Sequence, residues 1–168
     1  MSRGAALGAV LLLLVGAVAA VRATVAVPVR VESASMAPTL EAGDVVLVSR
    51  RAPEIATLHR WDLVVFAEPR HGRRTLKRVV GLPGESVVVL DGVLHVDGRA
   101  VAEAWVDPGS VDGYYSRTFV VPPDHVLVLG DNRGNSVDSR DYGAVPAEDL
   151  EGRVLTSIWP LPGTLSAD

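Results

Sequence analysis

Ser86-Val87-Val88-Val89-Leu90-Asp91-Gly92-Val93-Leu94-His95-Val96-Asp97-Gly98 is the stretch on which the fold reading turns. A short run of β-branched and apolar residues meets an Asp-Gly pair, a second run follows, and a second Asp-Gly pair closes it. Two-residue hairpin turns need positive φ at both central positions, which Asp-Gly tolerates, so the pattern predicts antiparallel strands in succession. Outward from it, Asp44 to Val48, Leu63 to Phe66, Leu76 to Val80, Thr118 to Val121, Val126 to Leu129 and Val154 to Ile158 have strand length and strand composition. Eleven prolines and sixteen glycines leave little room for a long helix after residue 25, with one helical turn expected at Ala147 to Leu150. The expectation is a mainly β, antiparallel domain over 25–168, folded as one or two small barrels or sandwiches. Within it, residues from about 90 to 123 carry weaker strand signals and read as a small inserted β region.

The N-terminus is of a different kind. Gly4 to Val21 run without a charge or strongly polar side chain, between Arg3 and Arg22. As a helix this run reaches roughly 27 Å at about 1.5 Å per residue, close to the ~30 Å of a bilayer core. A secretory signal peptide and a retained membrane anchor are the two readings. The apolar run exceeds the usual signal core, which favours an anchor over 1–24. Either way, residues from about 25 onward face the far side of a membrane.

Composition removes several functions. The chain has 168 residues, 48% apolar and 21% charged, which excludes a disordered or fibrous protein. A net charge of −4 argues against binding driven by phosphate neutralisation, so no nucleic-acid partner is expected. With no cysteine there is no thiol nucleophile and no thiolate metal site. Of sixteen basic residues only Lys77 is a lysine, so an ammonium at that one position invites a reason.

Three polar segments interrupt the β pattern. In Glu32-Ser33-Ala34-Ser35-Met36-Ala37-Pro38-Thr39-Leu40, extended backbone would put Val29, Val31, Ser33 and Ser35 on one face. A hydroxyl just before a proline-ended turn can protrude as a nucleophile; serine, proline and threonine also mark ordinary turns. In Thr75-Leu76-Lys77-Arg78-Val79-Val80-Gly81-Leu82-Pro83-Gly84-Glu85, Lys77 alternates with Thr75 and Val79. A buried lysine can lose several pKa units and serve as a base, whereas an exposed strand lysine does nothing of the kind. The third segment, Gly130-Asp131-Asn132-Arg133-Gly134-Asn135-Ser136-Val137-Asp138-Ser139-Arg140-Asp141-Tyr142-Gly143, is dense in donors and acceptors. Asp131, Asp138, Arg133 and Arg140 are expected to form the ion pairs that shape this loop.

In order, S-M-x-P-T-L, K-R-V-x-G-x-P-G and G-D-N-R-x-N-S-x-D-S-R resemble the bacterial type I signal peptidases, membrane-anchored serine proteases with a Ser-Lys dyad. The resemblance runs from about Val29 to Pro160, behind the apolar segment. It implies Ser35 as nucleophile and Lys77 as general base. It implies Ser33 with the Ser35 N–H as an oxyanion hole, and Ser136 as the group that orients Lys77. Arg78, Asp131, Asp138 and Arg140 would support these residues. The substrate implied is a secretory preprotein cut after small residues in an A-x-A-like pattern, added as a strand beside Val29 to Ser35. Val29, Val31, Met36, Leu40 and Leu76 would line the pockets. No metal, nucleotide or other cofactor is implied, and His59, His71, His95 and His125 fall outside all three segments.

Two positions depart from the family pattern. Gly134 stands where an acid is usual, and Glu32 where proline is common before the first serine. Two other readings stay open. One is a specialised Ser-Lys processing peptidase with a narrow substrate set; the other is a membrane-tethered β domain that binds a partner without activity.

Overall fold

Val126, Leu127, Val128 and Leu129 are all almost completely shielded from solvent. An uninterrupted apolar strand of this kind belongs between two layers, and it identifies the centre of the molecule. The structure, a computed structural model, describes residues 25–107 and 117–160, together with positions 8, 10, 13, 14 and 16. Its strands are β1 (Ala26–Arg30), β2 (Val45–Ser49), β3 (Leu63–Ala67), β4 (Arg74–Gly81), β5 (Ser86–Leu90), β6 (Val93–Val96), β7 (Arg99–Val101), β8 (Phe119–Val120), β9 (His125–Leu129), β10 (Val145–Pro146) and β11 (Leu150–Trp159). They form a seven-stranded sheet in the order β1-β2-β11-β3-β4-β9-β10 and a four-stranded sheet in the order β7-β6-β5-β8. Every pairing is antiparallel.

The two Asp-Gly signals behave as their chemistry requires. Leu90 pairs with Val93 and Val96 with Arg99, leaving two residues in each turn. Asp91 and Gly92 have φ of 47° and 80°, and Asp97 and Gly98 have 50° and 75°, the all-positive pattern of the tight hairpin turn.

Alternation along β9 explains how one strand serves two cores. Val126 and Val128 join Leu58, Val64, Phe66, Val79, Val145 and Leu150 on one face. Leu127 and Leu129 pack on the other face with Val80, Val87, Val89, Leu94, Val96 and Val121, which welds the second sheet to the first. A third cluster, Val31, Met36, Leu40, Val46, Val48 and Val65, with Leu76 against it, lies beneath the segment that follows β1.

Gly81 ends β4 at a register shift against β9. A Cβ there would stand 2.8 Å from Val87 Cγ2 and 2.9 Å from Leu127 Cβ, so the sheets approach too closely for any side chain.

The structure differs from the sequence expectation in two places and meets it in a third. β11 is ten residues long, because its first part pairs with β3 and its last with β2 across register shifts. The extended run expected to reach Ser35 stops at Arg30, and Ala34–Met36 is a turn of 3-10 helix. The helical turn expected at Ala147 to Leu150 forms over Ala147–Asp149. The anchor expected over 1–24 lies outside the described residues except for Gly8, Val10, Leu13, Leu14 and Gly16, which are helical and exposed. Among the described residues no helix is long and apolar enough to cross a bilayer.

Gly81→Ala is expected to destabilise the domain by about 1–3 kcal/mol through overpacking between the sheets. A lower urea midpoint with an unchanged slope would show it; an unchanged midpoint would mean that the sheets separate freely here.

Candidate active site

β4 carries Lys77 into the interior. The residue lies opposite Val64 in the β3–β4 ladder, shares its face with Val79, and retains 3% of its exposure. Ser35 is delivered by the 3-10 turn Ala34–Met36, where Met36 is buried in the third cluster and Leu40 N–H donates to Met36 O at 3.0 Å. The result is a hydrogen bond of 2.6 Å between Lys77 Nζ and Ser35 Oγ, across 42 residues of sequence. Ser33 Oγ stands 3.1 Å from Ser35 Oγ.

Burial pushes the Lys77 ammonium down to about 8 from its ordinary value; Arg140 acts in the same direction, while Asp138 and Asp131 oppose it. Each of the two carboxylates is itself paired with an arginine. Asp131 takes a bidentate pair from Arg78, Nε at 2.8 Å and Nη2 at 2.6 Å. Asp138 takes the same from Arg140, at 2.8 and 2.9 Å. Arg78 further donates to Trp61 O at 3.1 Å and lies against the Trp105 ring, 4.3 Å from its centroid.

The loop after β9 holds the serine turn from the opposite side. Asn132 N–H donates to Ser35 O at 3.1 Å and its side-chain amide to Ala34 O at 3.2 Å. Thr39 Oγ1 donates to Asp131 Oδ2 at 2.5 Å. Asp138 caps the helical turn Ser139–Tyr142 in a reciprocal box with Asp141, and also accepts from Gly130 N–H at 3.0 Å. A Cβ on Gly130 would lie 2.6 Å from Ser35 O and closer still to Ser136 Oγ, so the serine turn is seated on a position only glycine can occupy.

Two clefts meet at Ser35. A groove of about 290 Å³ runs past Val29, Val31, Met36, Val65 and Leu76. A polar cavity of about 660 Å³ contains Lys77, Glu68, His71, Arg73 and Ser136. Glu32, Ser33, Ser35, Arg74 and Thr75 border both.

Comparison with known proteins agrees with this layout. The family described as "Signal peptidase, peptidase S26" matches residues 5–159. The chain belongs to that family. The signal peptidase I of Bacillus caldolyticus is 35% identical over 145 residues, 77% of this chain and 78% of the relative. Signal peptidase I V of Bacillus subtilis is 38% identical over 144 residues, 79% and 85% of the two chains. A crystal structure of a signal peptidase I from Enterococcus faecalis superposes with a TM-score of 0.52 at 36% identity, covering 60% of this chain and 97% of that one. This S26 peptidase is accordingly a hydrolase of the serine peptidase type.

The structure brings Ser35, Lys77 and Ser33 together, with Arg78, Asp131, Asp138 and Arg140 around them. Other expected residues fall differently. Ser136 Oγ is buried with no hydrogen-bond partner; its hydroxyl sits over Gly130 instead of reaching the lysine, although it borders the same cavity. Leu40 lines neither cleft at Ser35, because its side chain is taken up by the third core cluster. Val29, Val31, Met36 and Leu76 do border the groove. Of the loop ion pairs, Asp138–Arg140 forms as expected, whereas Asp131 pairs with Arg78 and Arg133 with Glu103. Glu103 and Trp105 lie outside the three polar segments, and Asn132 lies within the third without an assigned role. Asn132 was findable, since a side-chain amide beside Asp131 in a glycine-bounded loop is a natural clamp for a neighbouring backbone.

Gly130→Ala is expected to preserve the β circular-dichroism spectrum yet reduce peptidase kcat/KM by about a hundredfold, as an ångström of misplacement does. Wild-type rates in this variant would show that the serine turn moves without consequence.

Proposed function

We propose that this peptidase removes signal peptides from secretory preproteins by a Ser35–Lys77 dyad, cutting after small residues in an A-x-A-like pattern. The observation that carries the reading is the 2.6 Å approach of Ser35 Oγ to a lysine whose pKa burial brings down to about 8. A neutral Lys77 amine takes the Ser35 proton as the oxygen attacks the scissile carbonyl. The tetrahedral oxyanion is held by Ser33 Oγ and the Ser35 N–H. Lys77 then returns the proton to the leaving amine, freeing the new N-terminus and leaving an acyl-serine. Water, deprotonated by the same amine, releases the signal peptide and restores the hydroxyl.

The open edge of β1 and the apolar side chains Val29, Val31, Met36, Val65 and Leu76 along the groove favour an extended chain with small side chains on the acyl side. The polar cavity beyond Ser35 suits the hydrated new N-terminus. Ser136 borders the same cavity as Lys77, and we assign it the orienting of Lys77 in the substrate complex. We further propose that 1–24 is a single-pass anchor in the cell membrane, with 25–168 on the extracytoplasmic side, where the lipid bilayer and the preprotein meet. Inside that region the segment of about 90–123 is an inserted β unit.

The test is cleavage of a precursor with an A-x-A site by the full chain in detergent, alongside Ser35→Ala, Lys77→Arg and Lys77→Met. Wild type alone is expected to cleave, with kcat/KM rising as pH passes about 8 and Lys77 becomes neutral. Lys77→Arg keeps a charge that never leaves, and Lys77→Met supplies no base. Activity surviving in Ser35→Ala or in both lysine variants would overturn the dyad. The folded lysine pKa lies below its unfolded value, so the unfolded chain binds more protons between about pH 8 and 10.5. Wild-type stability therefore gains from Lys77 as pH rises through that window, and Lys77→Met is expected to lack this gain in melting temperature.

A further inference from the structure

The strongest feature outside the three polar segments is a strap, Glu103 to Trp105, that follows β7 and leaves the second sheet to lie across the site's ion pairs. Glu103 accepts from Arg133 Nη2, with side-chain exposures of 6% and 2%. Burial pushes the Glu103 carboxyl up and Arg133 draws it back down. Two residues on, Trp105 meets Trp61 edge-on at 4.7 Å and lies against the Arg78 guanidinium at 4.3 Å. The strap is thus fastened at one end to the Asp131–Arg133 loop and at the other to β4, beside Lys77.

We propose that Trp105 is a positioning residue for the Ser35–Lys77 pair, acting by covering the Arg78–Asp131 ion pair and keeping water from it. The proposal rests on the dyad reading above. Its physical path is short. Arg78 holds Asp131, Asp131 accepts from Thr39, and the adjacent Asn132 holds the carbonyls of Ala34 and Ser35. An aromatic face over a guanidinium adds a cation–π attraction that strengthens where water is excluded. Without that face, water competes for Arg78, the pair loosens, and the serine turn loses its anchor.

The same loss leaves the Asp131 charge less completely offset. Lys77 also faces Asp138 and Arg140 from the loop after β9, has Arg78 beside it on β4, and shares its cavity with Glu32, Glu68, His71, Arg73 and Arg74. Of these, Trp105 touches Arg78. Uncovering it therefore raises the affinity of Lys77 for its proton through Asp131, while the Asp138–Arg140 pair stays as it is.

The experiment compares wild type with Trp105→Leu, which fills apolar volume without an aromatic face, and Trp105→Phe, which restores one. Cleavage of the A-x-A precursor by the full chain in detergent is followed across neutral to alkaline pH, with melting temperature measured in parallel. For Trp105→Leu the expected result is a roughly ten- to hundredfold fall in kcat, little change in KM, and an activity midpoint displaced to higher pH. Trp105→Phe is expected to recover most of the rate and the wild-type midpoint. A Trp105→Leu enzyme that loses only thermal stability and keeps the wild-type rate and midpoint would overturn the proposal, since the Arg78–Asp131 pair would then hold the site without its aromatic cover. A Trp105→Phe enzyme that behaves like Trp105→Leu would overturn it as well. A wild type with no alkaline rise would instead overturn the dyad on which the proposal rests.

Discussion

Keeping one amine dry next to one hydroxyl is the constraint around which this molecule is built. An ammonium in the interior is costly unless it gives up its proton or finds a partner. Two carboxylates, Asp131 and Asp138, lie close enough to raise the proton affinity of Lys77. Left unpaired, they would hold the lysine charged and useless as a base. Each is instead gripped in a bidentate pair by an arginine, Arg78 or Arg140. The Arg140 guanidinium counters part of the pull of the acids, and desolvation is the largest influence on Lys77. Arg140 therefore takes part in tuning the base alongside burial, and Arg78 neutralises the acid that faces it.

That arrangement needs parts from distant stretches of chain, and the β architecture supplies them. β4 contributes Lys77 and Arg78 to opposite faces by simple alternation. β9 runs beside β4, so the loop leaving β9 begins next to the lysine, and Gly130 lets it close onto the Ser35 carbonyl. The helical turn Ser139–Tyr142 then anchors the loop's far end through the Asp138–Asp141 box. Rigid strands set the coarse distances. Short polar contacts from Asn132, Thr39 and Asp138 set the fine ones.

Locally determined features were legible in the sequence. The Asp91-Gly92 and Asp97-Gly98 turns, the apolar run of β9 and the solitary Lys77 each follow from residue chemistry within a few positions. Features that depend on who meets whom were not. The turn at Ala34–Met36 is stabilised by burying Met36 among residues of β2 and β3, which strand periodicity near Ser35 does not reveal. Leu40 looks like a pocket residue on a linear reading, but that core claims it. Ser136 sits over Gly130, a close approach visible only once β9 and the turn are packed. Glu103 and Trp105 belong to no polar segment and lie in a stretch with weak strand signals. Their partners Arg133 and Arg78 come from the loop after β9 and from β4, which local patterning does not connect.

The distribution of basic residues makes the same point chemically. Arg78, Arg133 and Arg140 each use the fork of the guanidinium: Arg78 binds two carboxylate oxygens and the Trp61 carbonyl, Arg140 binds Asp138 twice and the Arg133 carbonyl, and Arg133 spans Gly130 O and Glu103. A lysine has no planar fork to match these partners, and when buried it is prone to lose its charge. A general base must do the reverse and surrender its proton near neutral pH, which a guanidinium does not do. Whatever produced the preference for arginine elsewhere in the chain, position 77 is where arginine fails chemically, while positions 78, 133 and 140 are where lysine fails geometrically. The one lysine and the three buried arginines are thus not interchangeable cations. They divide between them the two tasks of the site, one group that titrates and three that must not.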